Sequence, residues 1–186
     1  MKNIWEAWTS ALSAQECDII VQRASQYTPQ EATVGFAGQT KRNTSYRTSV
    51  IRWLDAATEQ AIVDRVMQFV RLSNRTNFGV DIIAPFDIQY TEYHGTVGGK
   101  YDWHQDVWLE SDRPYDRKLS LVVQLSDPAD YEGGAFEFFG IAAPGEKFAP
   151  RGSILIFPSW LQHRVMPVTQ GLRRSLVSWV EGPRWR

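Results

Sequence analysis

From about residue 80 onward the sequence breaks into short β-prone runs, at 82–93, 101–106, 118–125, 135–139, 153–157, 163–168 and 173–181, with turn residues between them. Runs of this kind, without intervening helical patterns, can bury their apolar faces only against one another, which predicts an antiparallel sandwich or barrel. The periodicity ahead of them is helical. Ser13-Ala-Gln-Glu16 has capping-box spacing, and Cys17, Ile20, Val21 and Ala24 follow at helical intervals, so a helix is predicted over about 13–26, ended by Tyr27-Thr-Pro29. A second helix is predicted over about 55–73, with Asp55 as N-cap and Ala61, Ile62, Val66, Phe69 and Val70 on one stripe. Between the helices, Gly35, Gly38 and Asn43 punctuate short strand-like runs and leave a polar, arginine-bearing segment around 37–47, a candidate flap. No repeat, low-complexity tract or linker divides the chain. The expectation is one domain over 1–186, with helical support over about 1–80 and a β core over about 81–183.

Composition narrows the function classes. At 186 residues and 43% hydrophobic, the chain can bury a sizeable core. Lys plus Arg (20) nearly balance Asp plus Glu (21), so no long-range positive field favours nucleic acid or an anionic membrane surface. The single cysteine, Cys17, cannot form an internal disulfide, and no Cys-x-x-Cys pair exists to hold zinc or an iron–sulfur cluster. The N-terminal MKNIWEAWTSALSAQE lacks the basic-then-apolar layout of a leader, and no run approaches the roughly 20 apolar residues of a membrane span. A soluble, cytoplasmic protein in a reducing compartment is expected.

Only three histidines occur, His94, His104 and His163. His104 stands in Tyr-Asp-Trp-His-Gln-Asp, and on a strand positions 104 and 106 project to one face, so an imidazole and a carboxylate can converge on an ion. That pair alone is weak. It gains meaning from His163, which opens a β-prone run, and from Arg173 ten residues later, after a turn expected at Gly171 that would send the next strand back antiparallel. Two histidines and one carboxylate form the facial set that leaves open positions on non-haem Fe(II). An arginine nearby offers a planar, always charged fork for a second carboxylate. His94, in the loop His-Gly-Thr-Val-Gly-Gly, is read as solvent-exposed, and the glycines there fit no phosphate-loop spacing.

In order and spacing, His104-x-Asp106, His163, Arg173 and the run Leu-Ser-Asp-Pro-Ala-Asp-Tyr-Glu-Gly-Gly (125–134) resemble the prolyl 4-hydroxylase-like Fe(II)/2-oxoglutarate oxygenases, of the bacterial and phage type. The resemblance extends over about residues 86–183. It implies a mainly β fold, a double-stranded β-helix of the jelly-roll or cupin-like kind, behind N-terminal supporting helices. It further implies His104, Asp106 and His163 as iron ligands and Arg173 as the partner of the distal carboxylate of 2-oxoglutarate. Arg173 is preferred over Arg174 because its strand phase shares a face with Ser175, Val177 and Trp179. Tyr93 matches the family's pocket tyrosine, the alternative being a buried sheet tyrosine. Trp179 matches the tryptophan beside the substrate's reacting carbon, the alternative being core packing. Gln124 departs from the family, which in several members has a tyrosine there to help hold the co-substrate; an amide still donates a hydrogen bond.

The implied reaction couples oxidative decarboxylation of 2-oxoglutarate by O2 to hydroxylation of a C–H bond, with ascorbate as reductant. Asp106 favours hydroxylation over halogenation, since the resembling halogenases lack the carboxylate ligand. A prolyl residue in a peptide or protein is the expected substrate. Another protein side chain, a free small molecule, or a non-catalytic metal-retaining binding module are the alternatives. Nucleic-acid dealkylation is disfavoured by the absence of a basic stripe. Arg47, Arg117, Trp103 and Trp108, in or near the polar segments 37–47 and 107–117, are candidates for a peptide groove; solvated charges or core aromatics are the competing reading.

Overall fold

The computed structural model describes residues 2–36, 39–107 and 113–185. In chain order the elements are β1 (Glu6–Trp8), α1 (Ala14–Ala24), β2 (Gln30–Glu31), β3 (Val34–Phe36), β4 (Gln39–Lys41), β5 (Arg47–Thr48), β6 (Val50–Leu54) and α2 (Gln60–Ser73). They continue with β7 (Ala84–His94), β8 (Lys100–His104), β9 (Tyr115–Gln124), β10 (Tyr131–Gly133), β11 (Phe136–Phe138), β12 (Ile154–Pro158), β13 (His163–Val165) and β14 (Val168–Pro183). Among the described residues an eight-stranded sheet runs in the order β1-β12-β9-β14-β7-β6-β2, with β10 paired to β14 off that path. A four-stranded sheet, β11-β13-β8-β5, faces it, and β3 and β4 form a separate hairpin. Mostly β, with two sheets face to face and helical support from the N-terminal part, this is the fold class that the sequence resemblance implies.

Two cores hold the layers. On one face of the large sheet, Cys17, Ile20 and Ala24 of α1 and Val63, Val66, Met67 and Val70 of α2 bury against Ile88, Leu119, Leu121, Val123, Ile154, Ile156 and Leu176. On the other face, Tyr93, Val122, Leu155 and Phe157 pack on Phe136, Phe138, Val165 and Val168 between the sheets. The period-2 alternation of β9 serves both: Leu119, Leu121 and Val123 go to the helices, and Val122 goes to the space between sheets.

Three local expectations change. The helix expected to begin at Asp55 begins at Gln60 instead. The Asp55 carboxylate does accept a backbone N–H, from Thr58 at 2.7 Å, but it caps a turn over 56–59 and not the helix. Glu59, at φ −100° and ψ 32°, breaks the helical path, and its buried carboxylate takes hydrogen bonds from Arg23 and the Tyr27 hydroxyl. The expected turn at Gly171 is strand: β14 runs through it, and the reversal lies at 166–167, where Pro167 has no N–H to extend the ladder. Gly171 has φ +71°, and a Cβ there would lie 2.0 Å from the Asp130 carbonyl oxygen, so it is needed for close approach of the segment entering β10. Finally, β8 stops at His104, so Asp106 lies just beyond the strand end.

Candidate metal centre

His104, at the end of β8, and His163, at the start of β13, are direct partners across the antiparallel pair. Their rings lie 4.1 Å apart, centroid to centroid. Each Nδ1 sits against the carbonyl oxygen two residues earlier, Asp102 at 2.7 Å for His104 and Leu161 at 2.8 Å for His163. A carbonyl only accepts, so Nδ1 carries a proton in both rings and each Nε2 is the ring atom left to face an ion. Asp106 completes the cluster, with its carboxylate oxygens 3.8 Å from His104 Nε2 and 3.6 Å from His163 Nε2. Two atoms each about 2.1 Å from a shared ion stand at most about 4.2 Å apart, so both separations admit one ion.

The surroundings shift His104 and Asp106 towards the protonation states a metal requires. Burial, with the neighbouring His163, lowers the His104 pKa to about 3, so its imidazole is neutral. Burial alone would raise the Asp106 carboxyl; the pull of His163, His104 and Arg117 and a hydrogen bond from Ser120 outweigh it and keep it below the usual carboxylate range. Ser120 Oγ donates to Asp106 Oδ2 at 2.7 Å and lies 3.0 Å from Ser159 Oγ, while the Asp106 N–H binds the Ser159 carbonyl at 2.9 Å. Aromatic rings fix the imidazole planes: Tyr101 stacks on His104 at 3.5 Å, and Phe136 on His163 at 5.3 Å. A register shift in the β13–β8 pairing, which aligns His163 with His104 but Val165 with Tyr101, brings Tyr101 and His104 to one face. Tyr101, Phe136, Ser120 and Ser159 escaped the sequence reading, because nothing in their local context distinguishes them from ordinary strand residues.

A cavity of about 420 Å3 opens on this cluster. Its lining includes Tyr93, Arg173, Ser175, Val177 and Trp179 from the large sheet, with Arg47 and Arg117. Arg173 is 1% exposed, pairs in register with Tyr93, and has its guanidinium carbon 5.5 Å from that ring's centre. It makes no hydrogen bond or ion pair among the described residues, and Nη1 is buried without a partner. Gly134 makes room for it: a Cβ there would lie 2.9 Å from Arg173 Cδ.

Arg117 reaches the cavity through a bulge. On strict alternation it would share the helix-facing side of Leu119 and Leu121, but the β9–β14 register jumps between Leu119 and Arg117 and turns it inward, 4.0 Å over the Trp179 ring and 3.3 Å from Asp87.

Two expected residues lie elsewhere. Trp103, next to His104 on β8, points to the opposite side by strand alternation, where Arg164 covers it at 4.4 Å and Phe139 meets its edge. Gln124 does not line the cavity; its amide donates to the Tyr131 hydroxyl, and its Oε1 is buried without a partner. His94 is 40% exposed and lies outside the metal cluster, and Trp108 falls outside the described residues. The polar segment around 37–47 is divided between β4, a turn and β5, with residues 37 and 38 outside the described set.

A two-histidine, one-carboxylate set faces a pocket that ends in a buried arginine without a hydrogen-bond partner among the described residues, an arrangement that could hold a metal ion beside an anionic molecule. Residues 88–181 match the 2OG-Fe(II) oxygenase superfamily, and the chain belongs to that family. Over 89 residues it is 37% identical to a PKHD-type hydroxylase of Synechococcus sp. (strain CC9902), a match covering 46% of this chain and 37% of that protein. The matched part is thus less than half the length of this curated relative. The viral collagen prolyl hydroxylase of Paramecium Bursaria Chlorella virus-1, solved as a 2OG complex, superposes over 97% of both chains with TM-score 0.72 at 22% identity. A prolyl hydroxylase of Trichoplax adhaerens, in complex with a hypoxia inducible factor oxygen degradation domain peptide fragment, covers 96% of this chain and 83% of its own, with TM-score 0.70 and 17% identity. At those identities the likeness is one of fold. No helix among the described residues is long and apolar enough to cross a membrane.

Proposed function

We propose that the chain, acting as one domain, is an Fe(II)- and 2-oxoglutarate-dependent dioxygenase that hydroxylates an unactivated C–H bond, with a prolyl residue in a peptide or protein as substrate. The observation that carries this reading is Arg173. A guanidinium 1% exposed, with no acid or carbonyl to satisfy it among the described residues, is costly to keep unless the functional state supplies an anion. The bare Nε2 atoms of His104 and His163 and the Asp106 carboxylate fit a divalent ion in the same cavity. One molecule with two acidic ends joins these features: 2-oxoglutarate, one end on the metal and the other on Arg173. When bound, the metal with its co-substrate supplies the activation of O2 that removes hydrogen from the substrate carbon and returns it as hydroxyl.

The chain's own residues do the rest. The carbonyls of Asp102 and Leu161 keep both imidazoles in the metal-binding tautomer. Ser120 donates to the Asp106 carboxylate, and Ser159 lies against the Ser120 hydroxyl and accepts the Asp106 N–H, so the carboxylate would be held in place to ligate the ion. Tyr93 walls the Arg173 end against water, and Trp179, 6% exposed, walls the substrate end. Prolyl-hydroxylase folds among the structural neighbours, one of them holding a peptide fragment, support a peptide substrate.

The test is succinate formation in the presence of Fe(II), 2-oxoglutarate and ascorbate, with and without proline-containing peptides. Peptide-stimulated succinate with a gain of one oxygen on proline is the expected result. Full turnover by His163→Ala would remove the ligand assignment, and turnover stimulated only by small molecules would remove the peptide assignment.

A further inference from the structure

A second buried cation in the cavity has no acid partner among the described residues. Arg47 is 8% exposed and belongs to β5, at the edge of the small sheet. Its Nε donates to Ser49 Oγ at 3.0 Å and its Nη2 to Gln89 Oε1 at 2.8 Å, both neutral acceptors, and Nη1 makes no hydrogen bond among the described residues. Its guanidinium carbon lies 4.3 Å from the centre of the Tyr101 ring, which itself stacks on His104 at 3.5 Å. Arg47 is therefore within reach of whatever occupies the metal's open side.

Its neighbours are donors too. Arginine only donates, so the Gln89 oxygen must face it, and that oxygen also takes the Thr91 hydroxyl at 3.2 Å. The Gln89 amide nitrogen is left on the cavity wall with no hydrogen bond among the described residues. Trp179 Nε1 is buried and also without an acceptor among the described residues. Among the described lining residues the one carboxylate, Asp106, is committed to Ser120 and the metal cluster, and Asp87, outside the lining, pairs with Arg117. 2-Oxoglutarate, in the reading above, spends its two acidic ends on the metal and Arg173. A buried fork of donors remains, and it favours a planar anion over any neutral group. Arg47 also borders a second cavity of about 270 Å3, whose lining includes Thr44, Thr48, Thr96 and the ion pair of Arg42 with Glu31.

We infer that the substrate is acidic: it presents a carboxylate to Arg47 and Gln89 close to the carbon that is oxidised. The inference rests on the oxygenase reading and narrows its substrate class. The carboxylate belongs either to an Asp or Glu side chain beside the target residue or to the substrate's own C-terminus.

Binding to the Fe(II)- and 2-oxoglutarate-loaded protein under argon, read by titration calorimetry, tests this without turnover. One arm uses blocked glycine peptides with a central proline and a single Asp or Asn moved through each flanking position. A second compares the same peptide with a free and an amidated C-terminus, and a third compares N-acetylproline with N-acetylprolinamide, which require no peptide groove. The acid form is expected to bind about tenfold tighter or better in at least one arm. That ratio should fall to near one in Arg47→Gln, persist in Arg47→Lys, and invert in favour of a Lys-bearing peptide in Arg47→Glu, an inversion that damaged folding does not produce. No acid preference in any arm, or one that survives Arg47→Gln, overturns the inference, as does a loss falling equally on 2-oxoglutarate. If acidic probes bind as described but no prolyl peptide yields succinate, the prolyl reading fails while the acidic class stands.

Discussion

Replacing Arg173 by methionine separates a structural arginine from one kept for a ligand, because the two roles predict opposite signs. Arg173 is 1% exposed and unpaired, so in the ligand-free protein its charge opposes folding. Exchanging buried charge for apolar volume gains about 1–4 kcal/mol, and the opening of the cavity places this site at the lower end, about 1–2 kcal/mol. For a chain of 186 residues each kcal/mol moves Tm by roughly 2–4 °C, so ligand-free Arg173→Met should melt about 2–8 °C higher than the parent. Affinity should move the other way: a lost buried charge pair costs about 2–5 kcal/mol, at least about 30-fold in the Kd of 2-oxoglutarate. Thermal melting of the Mn(II)-loaded protein reads both quantities, since a ligand at about 100 times the parent's Kd stabilises the parent by roughly 2.7 kcal/mol and should stabilise a variant that binds about 30-fold more weakly by no more than about 0.9 kcal/mol. A variant that melts lower than the parent without ligand, or that keeps its 2-oxoglutarate shift, refutes the reasoning.

Ser120→Ala removes the hydroxyl that orients Asp106, and should weaken metal binding by about 10–100-fold in a competition titration while the far-UV spectrum stays unchanged. Gly134→Ala places a methyl 2.9 Å from Arg173 Cδ at a residue with φ +63°, and should lose about 1–3 kcal/mol in denaturant unfolding and weaken 2-oxoglutarate binding. Glu16 is held at about 2, against 4.5 for a free glutamate, first by the Arg65 side chain and then by the Ser13 N–H. A lowered folded-state pKa means stability that is present above about pH 4.5 and lost as pH falls towards 2, so the melting temperature of Glu16→Gln should depend less steeply on pH across that window than the parent's.

Much of the fold is local information. The Ser13–Glu16 capping box and the stripe of Cys17, Ile20 and Ala24 are complete within a dozen residues, and α1 forms where they predict it, with both reciprocal hydrogen bonds made. The alternation that sends Leu119, Leu121 and Val123 to one side of β9 is likewise written in the chain. His104, Asp106, His163 and Arg173 were legible because their residue types are scarce or costly to bury and their order suits one chemistry. What neighbouring residues could not specify was pairing. Whether Gly171 is a turn or an extended residue depends on the Asp130 carbonyl arriving beside it, and whether Arg117 points to the helices or to the cavity depends on a bulge against β14. The serines on Asp106, the tyrosine on His104, the diversion of Trp103 to Arg164 and the engagement of Gln124 by Tyr131 arise between strands distant in sequence. The sequence by itself thus determined which side chains are present for the proposed metal and dicarboxylate. Only the tertiary structure decided that Arg173 and Arg47 are buried without acids among the described residues, because the absence of a partner is a property of the whole surrounding shell and not of any segment of chain.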